Sequence, residues 1–282
     1  MNKYSFDNNA NSTIGIIGFG NLGHSLAVAL VNNDFPKERL LISEKDSDAA
    51  HRKAMKNGLA NCLTGAEELT RRADVIIMAV RPQDALSLSG MSFKPNALVI
   101  SCMAGLPLDL LRRIFKVDVR RMMCSGPETI FEGRGVATLF PVDARVSYIL
   151  GLMGMRVFET KFEAELDSFT AGICIPAILL NIPEARQEMK KTMDEMEEKY
   201  PVYAALREWI LEVIPRNGAA QKRVYLEGVS TKGGICEAMT NSMRSGNTLS
   251  AALMHGIERG NEITAEIVKK TETALDAEKM GD

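Results

Sequence analysis

Apolar residues gather in short, regularly spaced blocks along the first half of the chain. Ile14, Ile16 and Ile17 form a short strand, and Leu26, Ala27, Ala29 and Leu30 follow at the spacing of a helix face. Residues 40–43 read as a second strand, 48–57 as a helix stopped by Gly58, and 66–72 as another short helix. Residues 74–80 form a continuous apolar run closed by Pro82, the pattern of a parallel strand covered on both faces. A strand over 97–101, a helix over 108–115, a strand over 119–123 and a further strand over 135–140 complete this half. Strands and helices alternate in units of about 25–30 residues, which predicts an α/β fold with a doubly wound parallel sheet.

The pattern changes over residues 148–159, and beyond it the chain reads as helical. The apolar run at 173–180 is broken by Pro176 and fits a buried helix start. Residues 184–199 are dense in charge, with Ala185, Met189, Met193 and Met196 at helical spacing. That narrow stripe suits packing within the chain or contact with a partner subunit. Pro201 interrupts, 202–214 resumes as helix, and 234–279 is a long helical stretch broken around Gly246. The division predicted is a polar arm over 1–12, a dinucleotide-binding domain over 13–160 and a helical domain over 161–282.

The richest segment is IGIIGFGNLGHSLAVAL, where Gly18, Gly20 and Gly23 take the spacing G-x-G-x-x-G between strand and helix. Gly18 allows the tight turn, Gly20 lets a diphosphate approach the backbone, and Gly23 lets helix pack on strand. Free N–H groups and the helix dipole then face the phosphates, so Gly18, Phe19, Gly20, Asn21, Leu22 and Gly23 are the expected diphosphate cradle. Glu44 stands at the end of the next strand, where an acidic side chain accepts hydrogen bonds from the adenosine ribose. Its charge repels a 2′-phosphate, favouring NAD over NADP, while the neighbouring Lys45 softens that repulsion. The alternative is a carboxylate that caps the strand end. Ala79, Val80, Arg81 and Pro82 end the third strand in the ligand crevice, with Arg81 either reaching a phosphate or lying on the surface. Met103, Ala104 and Gly105 end the next strand, and their small neighbours leave room for a nicotinamide ring.

Composition narrows the classes of partner. The 282 residues carry a net charge of −2, which argues against a nucleic-acid surface or a polybasic membrane face. No stretch approaches the roughly 20 apolar residues of a membrane span. The amino-terminal residues are polar and Asn-rich, without an apolar secretory core. Five scattered cysteines fit a reduced, cytoplasmic protein. Three isolated histidines leave no metal-ligand spacing, so no metal is expected.

GIIGFGNLG, AVRPQ, VISCMAGLPLDLL, RRMMCSGPETIFEGRGVATLFP and VSTKGGICEAM occur in this order. The chain thereby resembles pyrroline-5-carboxylate reductase, over about 13–145 and again over 225–265. The resemblance implies a Rossmann domain, a helical C-terminal domain that dimerises by interleaving helices, and an active site between one subunit's nucleotide domain and its partner's helices. It implies a homodimer or higher homo-oligomer that uses NAD or NADP to reduce a small cyclic imine acid.

The departures from that family lie on the substrate side. Cys124-Ser125-Gly126-Pro127 replaces the family's Pro-Asn-Thr-Pro, and residues 171–177 replace its Ser-Gly-Ser-Gly-Pro-Ala. Thr231-Lys232-Gly233-Gly234-Ile235-Cys236 replaces Ser-Pro-Gly-Gly-Thr-Thr. The resemblance places Gly126, Pro127, Glu128, Gly233, Gly234 and Cys236 on the substrate. The two glycines are expected to present N–H groups to a carboxylate, with Lys232 supplying a point charge in place of lost hydroxyls. Glu128 is read either as contacting a substrate amine or as a helix-start carboxylate. Cys236 is read as a packed small residue, or as a nucleophile lacking a paired His. A carbonyl substrate needs an acid, and Lys232 or a water held by Thr231 is the nearby candidate. The competing functions are reduction of a different carbonyl or imine acid, and dinucleotide binding without catalysis.

Overall fold

The structure is a computed structural model and describes residues 12–214 and 219–281. All but the last residue of the arm expected over 1–12 lies outside the described residues. Among the described residues seven strands form one sheet: β1 (Ile14–Ile17), β2 (Leu40–Ser43), β3 (Val75–Met78), β4 (Leu98–Ser101), β5 (Asp118–Cys124), β6 (Val136–Phe140) and β7 (Arg156–Glu159), in the order β2-β1-β3-β4-β5-β6-β7. β1 to β4 are buried throughout, which is why their sequences are runs of Val, Ile, Leu and Met without alternation. β1 pairs with β2 on one side and β3 on the other, so the winding direction reverses at β1. In such sheets the ligand crevice opens at the carboxyl ends of the strands flanking that reversal.

Helices α1 (Asn21–Asn32), α2 (Ser47–Lys56), α3 (Ala66–Arg72), α4 (Leu108–Phe115), α5 (Pro127–Phe131) and α6 (Ala144–Leu152) alternate with the strands. Leu26, Leu30 and Ala54 pack with Ile149 and Leu150 against Ile16, Ile42, Ile77 and Ile100 on one face of the sheet. Leu69, Leu111, Ile114 and Phe115 cover Ile76, Met78, Val99 and Val119 on the other. Each such aliphatic side chain contributes about 1.5–3 kcal/mol when fully buried.

The sheet departs from the expected all-parallel form in one place. β6 runs antiparallel to β5, pairing Arg121 with Phe140 and Cys124 with Ala137. Only residues 125–135 join the two strands, too few for the crossover of about a dozen or more residues that a parallel pair needs. β7 then returns parallel to β6. It lies in the segment where the sequence pattern lapsed, because Arg156 and Glu159 are exposed and break its apolar run.

The described residues beyond β7 carry helices alone: α7 (Glu165–Gly172), α8 (Ile175–Asn181), α9 (Met189–Lys199), α10 (Val202–Val213), α11 (Ala219–Val229), α12 (Ile235–Arg244) and α13 (Leu249–Gly281). Pro176 sits in the first turn of α8, where its missing N–H costs nothing. The charged segment expected as one helix begins instead as a 3₁₀ turn, Pro183–Gln187. Its Met189, Met193 and Met196 are buried in this chain's own core with Tyr203, Leu206 and Trp209. Gly246, at φ +87°, separates α12 from α13 where the sequence placed the break.

Hydrogen bonds and apolar packing tie the helical region to the sheet. Glu163 Oε1 accepts from Arg121 Nη1 of β5 at 2.6 Å and from the Leu108 N–H of α4 at 2.7 Å. α13 lays Ile267, Val268 and Leu275 against the core around α4. An N-terminal Rossmann-like domain is thus followed by a helical region whose last helix returns to the sheet.

Candidate functional site

The glycine loop leaves β1 at the sheet reversal. Gly18 has φ +94°, and a Cβ there would lie 2.6 Å from the Ala79 carbonyl oxygen of the neighbouring strand end. A Cβ on Gly23 would lie 1.8 Å from the Gly18 carbonyl oxygen, so α1 can pack this closely only on a glycine. Gly20 differs from both: a Cβ there would meet nothing within 4 Å, because the residue faces the open cleft. It is also the N-cap of α1, without a side-chain cap and with no acidic residue in the first turn. The first N–H groups of the helix therefore have no partner within it. Asn21 is exposed and Leu22 half-buried beside them.

Phe19 behaves otherwise. Its ring is buried edge-on to His24, its carbonyl accepts from Lys53 Nζ at 3.1 Å, and its N–H donates to Glu44 Oε2 at 2.6 Å. Glu44 Oε1 accepts from the Lys45 N–H at 2.7 Å. The carboxylate thus holds the end of β2 to the glycine loop and still lines the cleft. Burial and the charge of Lys53 hold the His24 imidazole below its usual value, against a hydrogen bond from Asn57. Asn57 Nδ2 stands 2.8 Å from His24 Nε2, the arrangement of a neutral ring accepting at that atom.

Below the loop lies a cleft of about 920 Å³, walled by Gly18, Gly20, Glu44, Ala79, Val80 and Arg81. The Arg81 side chain is 82% exposed and its Nε is 3.3 Å from Asp84. Pro82 opens the short 3₁₀ turn that carries Asp84. At the next strand end Met103 is buried and Ala104 exposed. Gly105 has φ +79°, and a Cβ there would strike Ile267 of α13 at 2.8 Å. The last helix of the same chain therefore closes on the loop expected to receive the nicotinamide.

The residues expected on the substrate side come from two distant segments, and the end of α11, which leads into the second, packs against the first. Gly126 precedes α5, where Pro127 and Glu128 form the first turn. A Cβ on Gly126 would lie 3.0 Å from Val229, near the end of α11. Thr231, Lys232 and Gly233 follow on an exposed loop, and Gly234 caps α12. The expectation that both glycine amides face a ligand is corrected by the hydrogen bonds. The Gly233 N–H donates to Glu237 Oε2 at 2.6 Å, and the Gly234 N–H to the Thr231 carbonyl at 2.9 Å. The N–H groups left without helical partners are those of the first turn of α12, Ile235 and Cys236. Arg259 Nε holds the loop from α13 by donating to the Gly233 carbonyl at 2.9 Å.

Cys236 is buried and shares a hydrogen bond with Cys174. That bond holds the Cys236 thiol below its usual value against burial, with help from Thr240 and Ser230. The same bond together with burial pushes Cys174 well up. No histidine among the described residues is hydrogen-bonded to Cys236, which fits a packing role.

Several residues that shape this region escaped the sequence reading. Thr64 and Gly65 line the cleft because Leu63 bridges Ile42 of β2, a contact no local pattern signals. Arg121, Glu163 and Asp167 cluster where α7 meets β5. Burial pushes the Asp167 carboxyl up, the Arg121 charge opposes this, and Glu163 adds to it. The spacing of Glu163 and Asp167, one helical turn apart, was the available signal. All five cysteines are free thiols. Among the described residues no group of three or more His, Cys, Asp or Glu is placed to hold a metal ion, and no helix is long and apolar enough to cross a membrane.

Residues 13–105, from the first strand through the loop after β4, match the family described as NADP oxidoreductase coenzyme F420-dependent. The pyrroline-5-carboxylate reductase of Haemophilus influenzae is 23% identical over 273 residues, covering 89% of this chain and 97% of that protein. That of Aquifex aeolicus is 24% identical over 126 residues, 45% of this chain and 46% of that one. Among solved structures, the pyrroline carboxylate reductase of Plasmodium falciparum with NADP bound superposes with a TM-score of 0.55 at 20% identity. That alignment covers 90% of this chain and 99% of that one.

Proposed function

We propose that this chain, a divergent member of the pyrroline-5-carboxylate reductase family, transfers a hydride from NADH or NADPH to the C=N bond of a small cyclic imine acid. The observation that carries the reading is Gly20. It stands at the start of α1, over an open cleft at the sheet reversal, where any side chain would enter the space of a bound diphosphate. The residues present fit a nicotinamide dinucleotide. The amides at Gly20, Asn21 and Leu22 would hold its diphosphate, Glu44 its adenosine ribose, and the strand ends at Ala79–Pro82 and Met103–Gly105 its nicotinamide half. When bound, the cofactor supplies the hydride and its electron pair.

The protein's own work is orientation. Gly126, Pro127 and Glu128 on one side and the Lys232 loop on the other hold the acid so that its reacting carbon faces the nicotinamide. Lys232 and the first-turn amides of Ile235 and Cys236 bind its carboxylate. A protonated imine needs no further acid, so Thr231 and Lys232 serve chiefly in binding. The reading extends to a homodimer or higher homo-oligomer in the cytoplasm, which light scattering on the purified chain tests.

The deciding experiment follows NADH and NADPH oxidation over a panel of cyclic imine acids and keto acids, in wild type and Lys232→Ala. Turnover of pyrroline-5-carboxylate supports the proposal, with a raised KM in the variant. Turnover of keto acids alone, abolished in Lys232→Ala, would assign a carbonyl reductase instead. Tight cofactor binding with no turnover would assign a non-catalytic dinucleotide-binding protein.

A further inference from the structure

Glu128 is the unexplained charge of the substrate side. Its Oε2 is closed off from solvent and accepts no hydrogen bond from any described residue. Room for the carboxylate comes from α11: a Cβ on Gly228 would lie 2.3 Å from Oε1 and 2.4 Å from Oε2. A Cβ on Gly126 would come within 3.3 Å of Oε2. The group therefore sits between the loop that leaves β5 and the end of α11, just ahead of the loop carrying Lys232.

Among the described residues no cation is paired with it. Arg134, the basic group whose charge reaches the same neighbour, Tyr225, is engaged by the Glu132 carboxylate and the Glu212 carbonyl. Lys232 is exposed on the loop beyond. Glu128 is half-buried as a whole, and a carboxylate oxygen held from solvent with neither a donor nor a counter-ion is costly to keep. It persists where a ligand completes it, and the ligand group that does so is a nitrogen carrying a proton and a positive charge.

We infer that Glu128 is the counter-ion for a protonated nitrogen on the substrate, and that it selects nitrogen-bearing acids over keto and hydroxy acids of the same size. This rests on the reductase reading and deepens it. The negative charge favours the iminium over the neutral imine, so the substrate is bound in its electrophilic form. Hydride adds to the iminium carbon, and the π pair of the C=N bond becomes the lone pair on nitrogen. The nitrogen keeps the proton it carried, so the amine leaves neutral and protonates in water.

The test uses the full chain with NAD⁺ or NADP⁺ bound, and compares L-proline with cyclopentanecarboxylate, which has the same ring size and acid group but no nitrogen. Calorimetry on wild type is expected to show proline bound at least tenfold more tightly. Glu128→Gln keeps the shape and removes the charge; it should abolish that preference by weakening proline alone, with cofactor affinity unchanged and a thermal midpoint no lower than that of wild type. Glu128→Asp should restore part of the preference, which a merely structural role would not produce. An undiminished preference in Glu128→Gln, or equal loss of both ligands, overturns the role of Glu128 while imine turnover by wild type leaves the reductase reading standing. A wild type without preference for nitrogen that reduces keto acids alone overturns both.

Discussion

The three glycines of the loop should fail in different ways when each is replaced by alanine, and Gly20 against Gly23 is the sharpest contrast. At Gly20 φ is −66°, ordinary for alanine, and a Cβ meets nothing within 4 Å. Alanine is a poorer N-cap than glycine, but it also lowers the entropy of the unfolded chain by about 0.4–1 kcal/mol. The two effects nearly cancel, leaving stability within about 1 kcal/mol of wild type and the melting midpoint within roughly 2–4 °C. The methyl group nevertheless occupies the face on which a diphosphate approaches the helix start. Losing one hydrogen bond to a charged oxygen there costs about 1.5–3 kcal/mol, or roughly 10- to 150-fold in Kd. At Gly23 the added carbon would lie 1.8 Å from the Gly18 carbonyl oxygen, a backbone atom that cannot rotate away. Helix and loop must separate, so Gly23→Ala should lose about 1–3 kcal/mol or more of stability along with cofactor binding. Scanning calorimetry and titration calorimetry with NADH and NADPH measure both quantities. Gly20→Ala binding as tightly as wild type, or melting as early as Gly23→Ala, would refute the assignment of this cleft to the diphosphate.

Glu44→Ala removes the acceptor of the Phe19 N–H and the charge facing the adenosine ribose, so NADH should weaken while the NADPH/NADH affinity ratio rises roughly tenfold, about 1.4 kcal/mol; paired titrations with the two cofactors measure this, and an unchanged ratio contradicts it. Glu163→Ala removes the acceptor of the 4%-exposed Arg121 guanidinium and of the Leu108 N–H together, with Asp167 left as the nearby carboxylate, and should cost about 1.5–3 kcal/mol in urea unfolding. A loss below about 1 kcal/mol would mean that the helical region is held to the sheet by other contacts. His24 has a depressed folded pKa, so the folded state resists protonation more than the unfolded chain does. Its contribution is intact above the ordinary value of 6.5 and is lost as pH falls through it, so wild-type stability between pH 8 and pH 5 should fall more steeply than that of His24→Gln; parallel slopes would remove His24 from the account.

The Rossmann half was legible because its signals are local. Strand, glycine loop and helix are contiguous, and each glycine's constraint comes from neighbours in the same unit or the adjoining strand. The run over 74–80 and the break at Gly246 were equally plain, since one is an apolar block and the other a left-handed turn. What failed was set at long range or by chain economy. β7 is an edge strand with charged ends, so it carries no apolar run. The reversed β6 follows from a short connection rather than from any residue pattern. Glu184 and Arg186 fit an α-helix as well as a 3₁₀ turn, so the residue pattern does not distinguish the two. Thr64, Arg121 and Asp167 reach their places only once the sheet has formed.

The loop over 231–236 shows why a retained glycine pair is weak evidence for a retained function. In isolation Gly233-Gly234 offers two amides to an anion. In the folded chain Glu237, four residues on, takes the first, and the turn to Thr231 takes the second. A substrate carboxylate arriving there meets the Glu237 charge rather than a free donor, and only a cation placed ahead of it can offset that repulsion. Lys232 is the residue so placed, and Arg259 fixes the loop that carries it. On the proposed reading, recognition of the acid therefore passes from the two glycine amides to Lys232 and the first-turn amides of α12, and recognition of the nitrogen to Glu128. Affinity for the acid should then be sensitive to salt, with KM rising several-fold between 50 mM and 500 mM NaCl while kcat holds. A KM indifferent to salt would remove Lys232 from the account and leave the carboxylate to the amides of the first turn of α12 alone.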